Sequence, residues 1–246
     1  MDDLSVIIPT LNEPHGSLKK IQKSLEALGA EVIVVDDGSE KPYPTAIKHG
    51  VNFGYGSALL TGIKNATRPT ILTMDGDGQH RVQDVKNLYK VWNMIDVDMI
   101  IGVRRLKGEK WFRYLGRKFL NTVASLLATY WLPDLNSGLR IVKASIVKGY
   151  APILCRSFSF TTSLTLSMLL DGYRLEWFPI VVQKRKSGSS RVRVFQHGFV
   201  TLWYILKIGI ALRTRGLRKC VRSLPLIGRN GSREPSPKKN GETAKV

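Results

Sequence analysis

Short β-branched runs recur along this chain with amphipathic stretches between them, and that alternation restricts the fold more than any other feature. Residues 4–9 (LSVIIP) and 31–36 (EVIVVD) read as strands, and residues 17–28 between them place Leu18, Ile21, Leu25 and Leu28 at helical spacing. The pattern repeats. Further strands are expected at 70–74, 98–103, 139–142 and 175–182, with helices at 57–66, 82–94, 111–132 and 161–171. Strands that alternate with helices, and are apolar on both sides, specify a mostly parallel α/β sheet covered by helices on both faces. Pro133 ends the long 111–132 helix.

The 246 residues are enough for one such core. Cys155 and Cys220 lie far apart, with no Cys/His ligand spacing, which speaks against a disulfide scaffold or structural zinc and fits a reducing compartment. The formal charge of +19 is concentrated near the C-terminus, where residues 184–246 hold 16 Lys and Arg against two acidic residues. Within that region, residues 198–212 (GFVTLWYILKIGIAL) are apolar and are followed by Arg213, Arg215, Arg218, Lys219 and Arg222. A 15-residue helix reaches about 22 Å, short of the roughly 30 Å hydrocarbon layer, so this stretch either packs on the core or lies on a bilayer. Basic groups beside it suit an anionic cytoplasmic leaflet, whereas nucleic acid is not an expected partner, because the aromatics are not interspersed with the bases. The acidic start Met1-Asp-Asp does not resemble a signal peptide. The expected organisation is a catalytic domain at 1–193, an apolar and basic interfacial region at 194–228, and a disordered basic tail at 229–246.

The acidic residues cluster where such sheets bind ligands. Asp36-Asp37-Gly38-Ser39 follows one strand and Asp75-Gly-Asp77-Gly-Gln79-His80 another, so both are expected at strand carboxyl ends. If 75–79 is extended, Asp75, Asp77 and Gln79 project to one side as an all-oxygen half-shell suited to Mg²⁺ or Mn²⁺. The same Asp/Gly composition also makes ordinary turns. Four carboxylates near one another favour the cation reading, since their repulsion needs neutralising. Arg104-Arg105 follows another strand, and residues 184–191 (KRKSGSSR) form a basic Gly/Ser loop whose Arg185 and Ser190 are candidates for holding a diphosphate. Residues 52–58 (NFGYGSA), including Gly54, precede a helix and offer a second, incomplete phosphate-cradle pattern.

Together, VIIPTLNE (6–13), VDDGS (35–39), residues 52–58, MDGDGQH (74–80), DLNSGLR (134–140) and RKSGSS (185–190) resemble, in order and spacing, family 2 glycosyltransferases with the GT-A fold. More narrowly they resemble polyprenyl-phosphate sugar synthases of the dolichyl-phosphate mannosyltransferase type. The resemblance spans residues 4 to about 191; it departs at Leu11, Gly76 and Arg81-Val82, none of them a presumed ligand. It implies that Pro9, Thr10, Asn12, Glu13, Asp36 and Asp37 hold a nucleoside. Asp75, Asp77 and Gln79 would hold Mg²⁺ or Mn²⁺ on the donor diphosphate, and Arg104 and Arg185 would bind the same oxygens. Asp134 would position or assist the acceptor, with Arg113 and Arg117 at an acceptor phosphate. The implied reaction is an inverting transfer from a nucleoside diphosphate sugar, with GDP-mannose preferred, to polyprenyl or dolichyl phosphate at the cytoplasmic face of a membrane. Two relatives of that reading stay open: a family 2 transferase with a soluble saccharide or protein acceptor, and a nucleotidyltransferase.

Overall fold

The computed structural model describes residues 1–104, 111–183, 199–208 and 210, except for the side chains of Phe112 and Arg113. It contains β1 (Leu4–Thr10), α1 (His15–Glu26), β2 (Glu31–Asp36), β3 (Ile47–Lys48), α2 (Tyr55–Asn65), β4 (Thr70–Thr73) and α3 (Val82–Trp92). These are followed by β5 (Met99–Arg104), α4 (Trp111–Ala128), β6 (Arg140–Lys143), α5 (Ala144–Tyr150), α6 (Phe160–Leu170) and β7 (Leu175–Ile180). A last helix, α7, covers 199–208. The seven strands form one sheet in the order β3-β2-β1-β4-β6-β5-β7. All neighbours are parallel except β6, which runs antiparallel to both β4 and β5.

The chain builds outward from β1 through β2 to β3, then returns to place β4 on the other side of β1. That reversal makes the carboxyl end of β1, at Pro9 and Thr10, the topological switch point where open α/β sheets bind ligands. β1 is buried along its whole length because both faces are covered. Val6 and Ile8 pack with Leu18, Leu25, Val85 and Leu88 of α1 and α3, while Ile7 faces Leu59, Ile63, Phe160 and Leu164 of α2 and α6. A third cluster, Ala124, Leu135, Leu166 and Ile205, joins α4, α6 and α7, with Trp177 of β7 packed against it.

The expected elements are present with shifted ends. α1 starts at His15, directly after Pro14, whose fixed φ of −62° suits a helix entry. α4 ends at Ala128 instead of 132, because Thr129 turns into the left-handed region (φ 52°) before Pro133 is reached. β3, only two residues long, and α5 carry too little periodicity to read from sequence. Of the expected domain limits, both 193/194 and 228/229 lie outside the described residues. No helix among the described residues is long and apolar enough to cross a membrane.

Three strands are fastened at one end by Asp98. Its carboxylate accepts Lys143 Nζ at 2.7 Å and the Arg174 amide at 3.0 Å, joining the approaches to β5 and β7 with the end of β6. Burial pushes this carboxyl up, but the contacts with Lys143 and Arg174 outweigh that and hold it below its ordinary value of 3.8. A depressed carboxyl contributes stability that is fully present above the unfolded value and is lost as pH falls through the folded one. Asp98→Asn is therefore expected to destabilise the protein by about 1–2 kcal/mol at pH 7. Urea unfolding of both proteins should show the difference intact at pH 5 and shrinking below about pH 3.9.

Candidate active site

The carboxyl ends of β1, β2 and β4 bring the acidic segments to one side of the molecule. Asp36 and Asp37 end β2 and are both nearly buried, at 2% and 4% exposure. Asp36 accepts the Ser39 amide at 2.8 Å and the Tyr43 amide at 2.9 Å, so it shapes the turn that follows. Asp37 accepts His49 Nδ1 at 2.7 Å, the Phe53 amide at 3.0 Å and the Gly54 amide at 2.9 Å. These two carboxylates are satisfied by protein donors.

Asn12, in the left-handed region (φ 51°), locks β1's exit to β2's. Its amide donates to Ser39 Oγ at 2.7 Å and its Oδ1 accepts the Glu40 amide at 2.8 Å. Pro9 and Thr10 are buried in the strand end, and Glu13 is half-buried just beyond. Thr10 Oγ1, with Ser137 Oγ and His80 Nδ1 nearby in the same end of the sheet, is buried with no hydrogen-bond partner among the described residues. Buried polar atoms left this way mark places where a bound ligand or water supplies the missing partner.

Asp75 follows β4 and is the best-anchored of the presumed metal ligands. Its Oδ1 accepts the Tyr55 hydroxyl at 2.8 Å, and Oδ2 lies 3.4 Å from His80 Nε2. The carboxylate is still 29% exposed. Burial pushes its carboxyl up; His80, Tyr55 and Arg104 outweigh this and hold it below its ordinary value. The same contact raises the Tyr55 hydroxyl well above the usual phenol range, burial being the larger cause. Gly138 lies against this carboxylate, where a Cβ would run into both oxygens. The Gly138 carbonyl accepts Thr73 Oγ1 at 2.7 Å, which fixes the approach.

Residues 75–79 are not extended, which corrects the expected alternation. Gly76 and Asp77 form a turn, Gly78 has φ 75°, and Asp77 Oδ1 accepts the Gln79 amide at 3.0 Å. Gln79 is tied to the exit of β7: its Nε2 donates to the Gln183 carbonyl at 3.3 Å, so the atom it can offer a cation is Oε1. Among the described residues no three His, Cys, Asp or Glu side chains gather as a metal cage. Asp75 and Asp77 offer carboxylate oxygens and Gln79 an amide oxygen, the donor types that a hard divalent ion takes beside phosphate and water.

The segment preceding α2 packs against the backbone at 155–156. Gly54 has φ 100°, and a Cβ at Gly56 would run into the Cys155 carbonyl and the Arg156 backbone. The Ser57 amide donates to the Arg156 carbonyl at 2.9 Å, so the start of α2 is occupied by the 155–156 backbone.

Arg104 closes on Asp134. Its Nε and Nη2 donate to the two carboxylate oxygens at 2.8 and 2.9 Å, and its amide donates to Oδ2 at 3.2 Å. Asp134 is fully buried. Burial pushes its carboxyl up, and Arg104, with a smaller contribution from Arg117, pulls it further down. A carboxylate so placed is a poor proton acceptor and a firm anchor for Arg104. Arg140, which sequence reading noted only as part of the 134–140 segment, is buried and donates to the carbonyls of Ser137 (2.7 Å), Leu135 (2.5 Å) and Thr161 (3.0 Å) and to Thr165 Oγ1 (2.5 Å). Burial lowers its guanidinium to about 10. Arg140 thereby fixes the loop carrying Asp134 and Gly138.

Arg185 and Ser190 lie outside the described residues, as does the Arg113 side chain. Arg117 lies on α4, on the Asp134 side. A cavity of about 630 Å³ lined by Asp96, Tyr130, Arg174 and Glu176 opens at the opposite, amino ends of β5 and β7. Strand-end chemistry, not cavity size, locates the site. Tyr55 and His49 were not expected here; Tyr55 could have been found only through its place beside Gly54.

Residues 5–153 match the family described as Glycosyl transferase family 2. The chain is 37% identical to an uncharacterised Methanocaldococcus jannaschii protein over 226 residues, covering 83% of this chain and 91% of that protein. It is 25% identical to the undecaprenyl-phosphate 4-deoxy-4-formamido-L-arabinose transferase of Sodalis glossinidius, covering 84% and 67% of the two chains. It is 30% identical to the dolichol-phosphate mannosyltransferase of Pyrococcus furiosus, covering 59% and 47%. In structure it is similar to Mycobacterium tuberculosis glucosyl-3-phosphoglycerate synthase crystallised with Mn²⁺, UDP and phosphoglyceric acid, at TM-score 0.68 and 14% identity, covering 85% and 78%. With a parallel-stranded switch point, acidic strand ends and a family match over most of the sheet, the chain belongs to glycosyl transferase family 2, with a GT-A-like fold.

Proposed function

We propose that this glycosyltransferase moves a sugar from a nucleoside diphosphate donor to a polyprenyl-type lipid phosphate, with inversion and with Mg²⁺ or Mn²⁺. The observation that carries the reading is the partly exposed Asp75, held at the switch point beside the Asp77–Gln79 turn. When bound there, a divalent ion neutralises charge growing on the departing nucleoside diphosphate. The chain's own groups do the rest. Thr10 and Asn12, with Asp36 and Asp37 shaping the loops behind them, line the nucleoside side. Arg104 faces the diphosphate as a directional donor, oriented by Asp134. A lipid monophosphate has a second pKa near 6, so its attacking oxygen is already anionic and needs no dedicated base. GDP-mannose is the donor proposed first, and the names of the Sodalis and Pyrococcus relatives support a lipid phosphate acceptor.

An insoluble acceptor requires a bilayer, and the outer faces of α4 and α7 suit one. Trp111, Leu115 and Phe119 recur at four-residue spacing on α4 and are 74%, 50% and 59% exposed; Phe199 and Trp203 of α7 are 75% and 65% exposed. The inner face of α7 is seated, since Ile205 is buried and Thr201 Oγ1 lies 3.0 Å from Ser159 Oγ. α4 carries Arg113, Arg117 and Lys118 and no acidic residue, and apolar plus basic character is what an anionic surface binds. These features support the proposed place at the cytoplasmic face of a membrane, with Arg113 and Arg117 proposed at the acceptor phosphate.

Incubation with GDP-mannose, UDP-glucose or UDP-N-acetylglucosamine, Mg²⁺ or Mn²⁺ and polyprenyl phosphate is expected to give extractable glycolipid with released nucleoside diphosphate. Chelation should abolish it, and Asp77→Asn should lower turnover by about 10²–10³-fold. Transfer only to 3-phosphoglycerate or another soluble acceptor would overturn the lipid reading. Asp134→Asn is expected to cost about 3 kcal/mol of stability by leaving Arg104 without its buried partner. It should also lower turnover while the Mn²⁺ dependence stays, read from urea unfolding beside steady-state kinetics. Phe119→Glu with Trp203→Glu should abolish flotation with anionic vesicles and leave unfolding unchanged.

A further inference from the structure

We propose that Tyr55 is a positioning residue for the cation-binding carboxylate Asp75, linking it to the nucleoside side of the crevice; this rests on the metal role proposed for Asp75 above. Five contacts point to it. The Tyr55 hydroxyl donates to Asp75 Oδ1 at 2.8 Å. The opposite oxygen faces His80 Nε2 at 3.4 Å, and the Gly138 backbone packs closely against the carboxylate. The Tyr55 ring stacks on Phe158 with centroids 5.8 Å apart and planes 5° from parallel. Tyr55 is the first residue of α2, and the residue before it, Gly54, donates its amide to Asp37 Oδ2 at 2.9 Å.

The donor that sets the Asp75 rotamer is thus held by a helix, an aromatic stack and the other acidic strand end. A carboxylate oxygen has more than one acceptor direction, so Oδ1 can keep the phenol and still meet a cation. Partners that orient a metal ligand tune affinity for the ion without touching it. Removing the hydroxyl frees Asp75 to rotate while leaving the charge, the ring and the strand ends in place. Cation affinity should fall, whereas metal-free nucleotide affinity should not. A residue of purely structural importance would lower both together or neither.

The test is Mn²⁺ titration, followed by the EPR signal of the free ion, in the presence of UDP and separately of GDP. Wild type, Tyr55→Phe, Phe158→Leu and Asp77→Asn are compared, with thermal unfolding of each. Tyr55→Phe is expected to weaken Mn²⁺ binding about tenfold, the effect of one hydrogen bond to a charged group. The Mn²⁺ concentration for half-maximal turnover should rise in parallel, with kcat at saturating Mn²⁺ retained. Phe158→Leu keeps the hydroxyl but loses the stack, so it should shift binding the same way by less; it decides the matter if Tyr55→Phe fails to fold. If both variants bind Mn²⁺ as wild type does while Asp77→Asn loses it, the role of Tyr55 is overturned and the metal site stands. If Asp77→Asn also binds as wild type, or wild type binds no Mn²⁺ with either nucleotide, the metal reading itself falls.

Discussion

Placing four carboxylates at one end of a sheet is costly unless each has its own donors, and the way this chain supplies them organises the rest of the structure. Asp36 is spent on the turn after β2, and Asp37 on His49 and the two amides at Phe53 and Gly54. The next residue, Tyr55, reaches across to Asp75. Neighbouring residues of one segment therefore bridge the acidic ends of β2 and β4, on either side of β1. Charge compensation and loop placement are achieved by the same bonds. Asp75 alone of the three strand-end carboxylates keeps appreciable exposure, which leaves it able to serve chemistry as well as structure.

Much of this was legible in the sequence because it depends on periodicity and order. The doubly covered β1 shows as the apolar run Val6–Pro9, and the helix α3 as Val85 and Leu88 at helical spacing. The acidic segments were expected at strand carboxyl ends, and Asp36 and Asp75 are found there. Other features depend on contacts that no local pattern encodes. Asp-Gly-Asp-Gly is compatible with extended chain and with a turn; the Asp77–Gln79 bond and the link from Gln79 to Gln183, 104 residues away, accompany the turn. The close packing of the Gly-x-Gly at 54–56 on the 155–156 backbone is invisible locally, because those residues are remote in sequence. Arg140 read as one basic residue among many, since only the fold shows four acceptors around it.

The direction of β6 was the most consequential unreadable feature. A short apolar run such as Arg140–Lys143 fits either orientation, and the choice is made by where α4 packs. A crossover helix lying on the sheet would return the chain to the amino edge and give a parallel strand. α4 instead packs with α6 and α7 through Ala124, Leu166 and Ile205. The chain comes back to the edge it left, and β6 runs antiparallel between β4 and β5.

That reversal is what completes the site. In an antiparallel strand the amino end lies beside its neighbours' carboxyl ends, so the 134–138 loop is delivered to Asp75 and Arg104. Asn121 of α4 strengthens the placement, donating from Nδ2 to the Pro133 carbonyl at 2.7 Å, and Arg140 ties the other side of the loop to α6. The helix that displaces the crossover thus fixes the loop that anchors Arg104. Its outward face carries Trp111, Leu115 and Phe119. One element therefore couples the proposed membrane contact to the loop that anchors Arg104, the arginine proposed to bind the donor diphosphate.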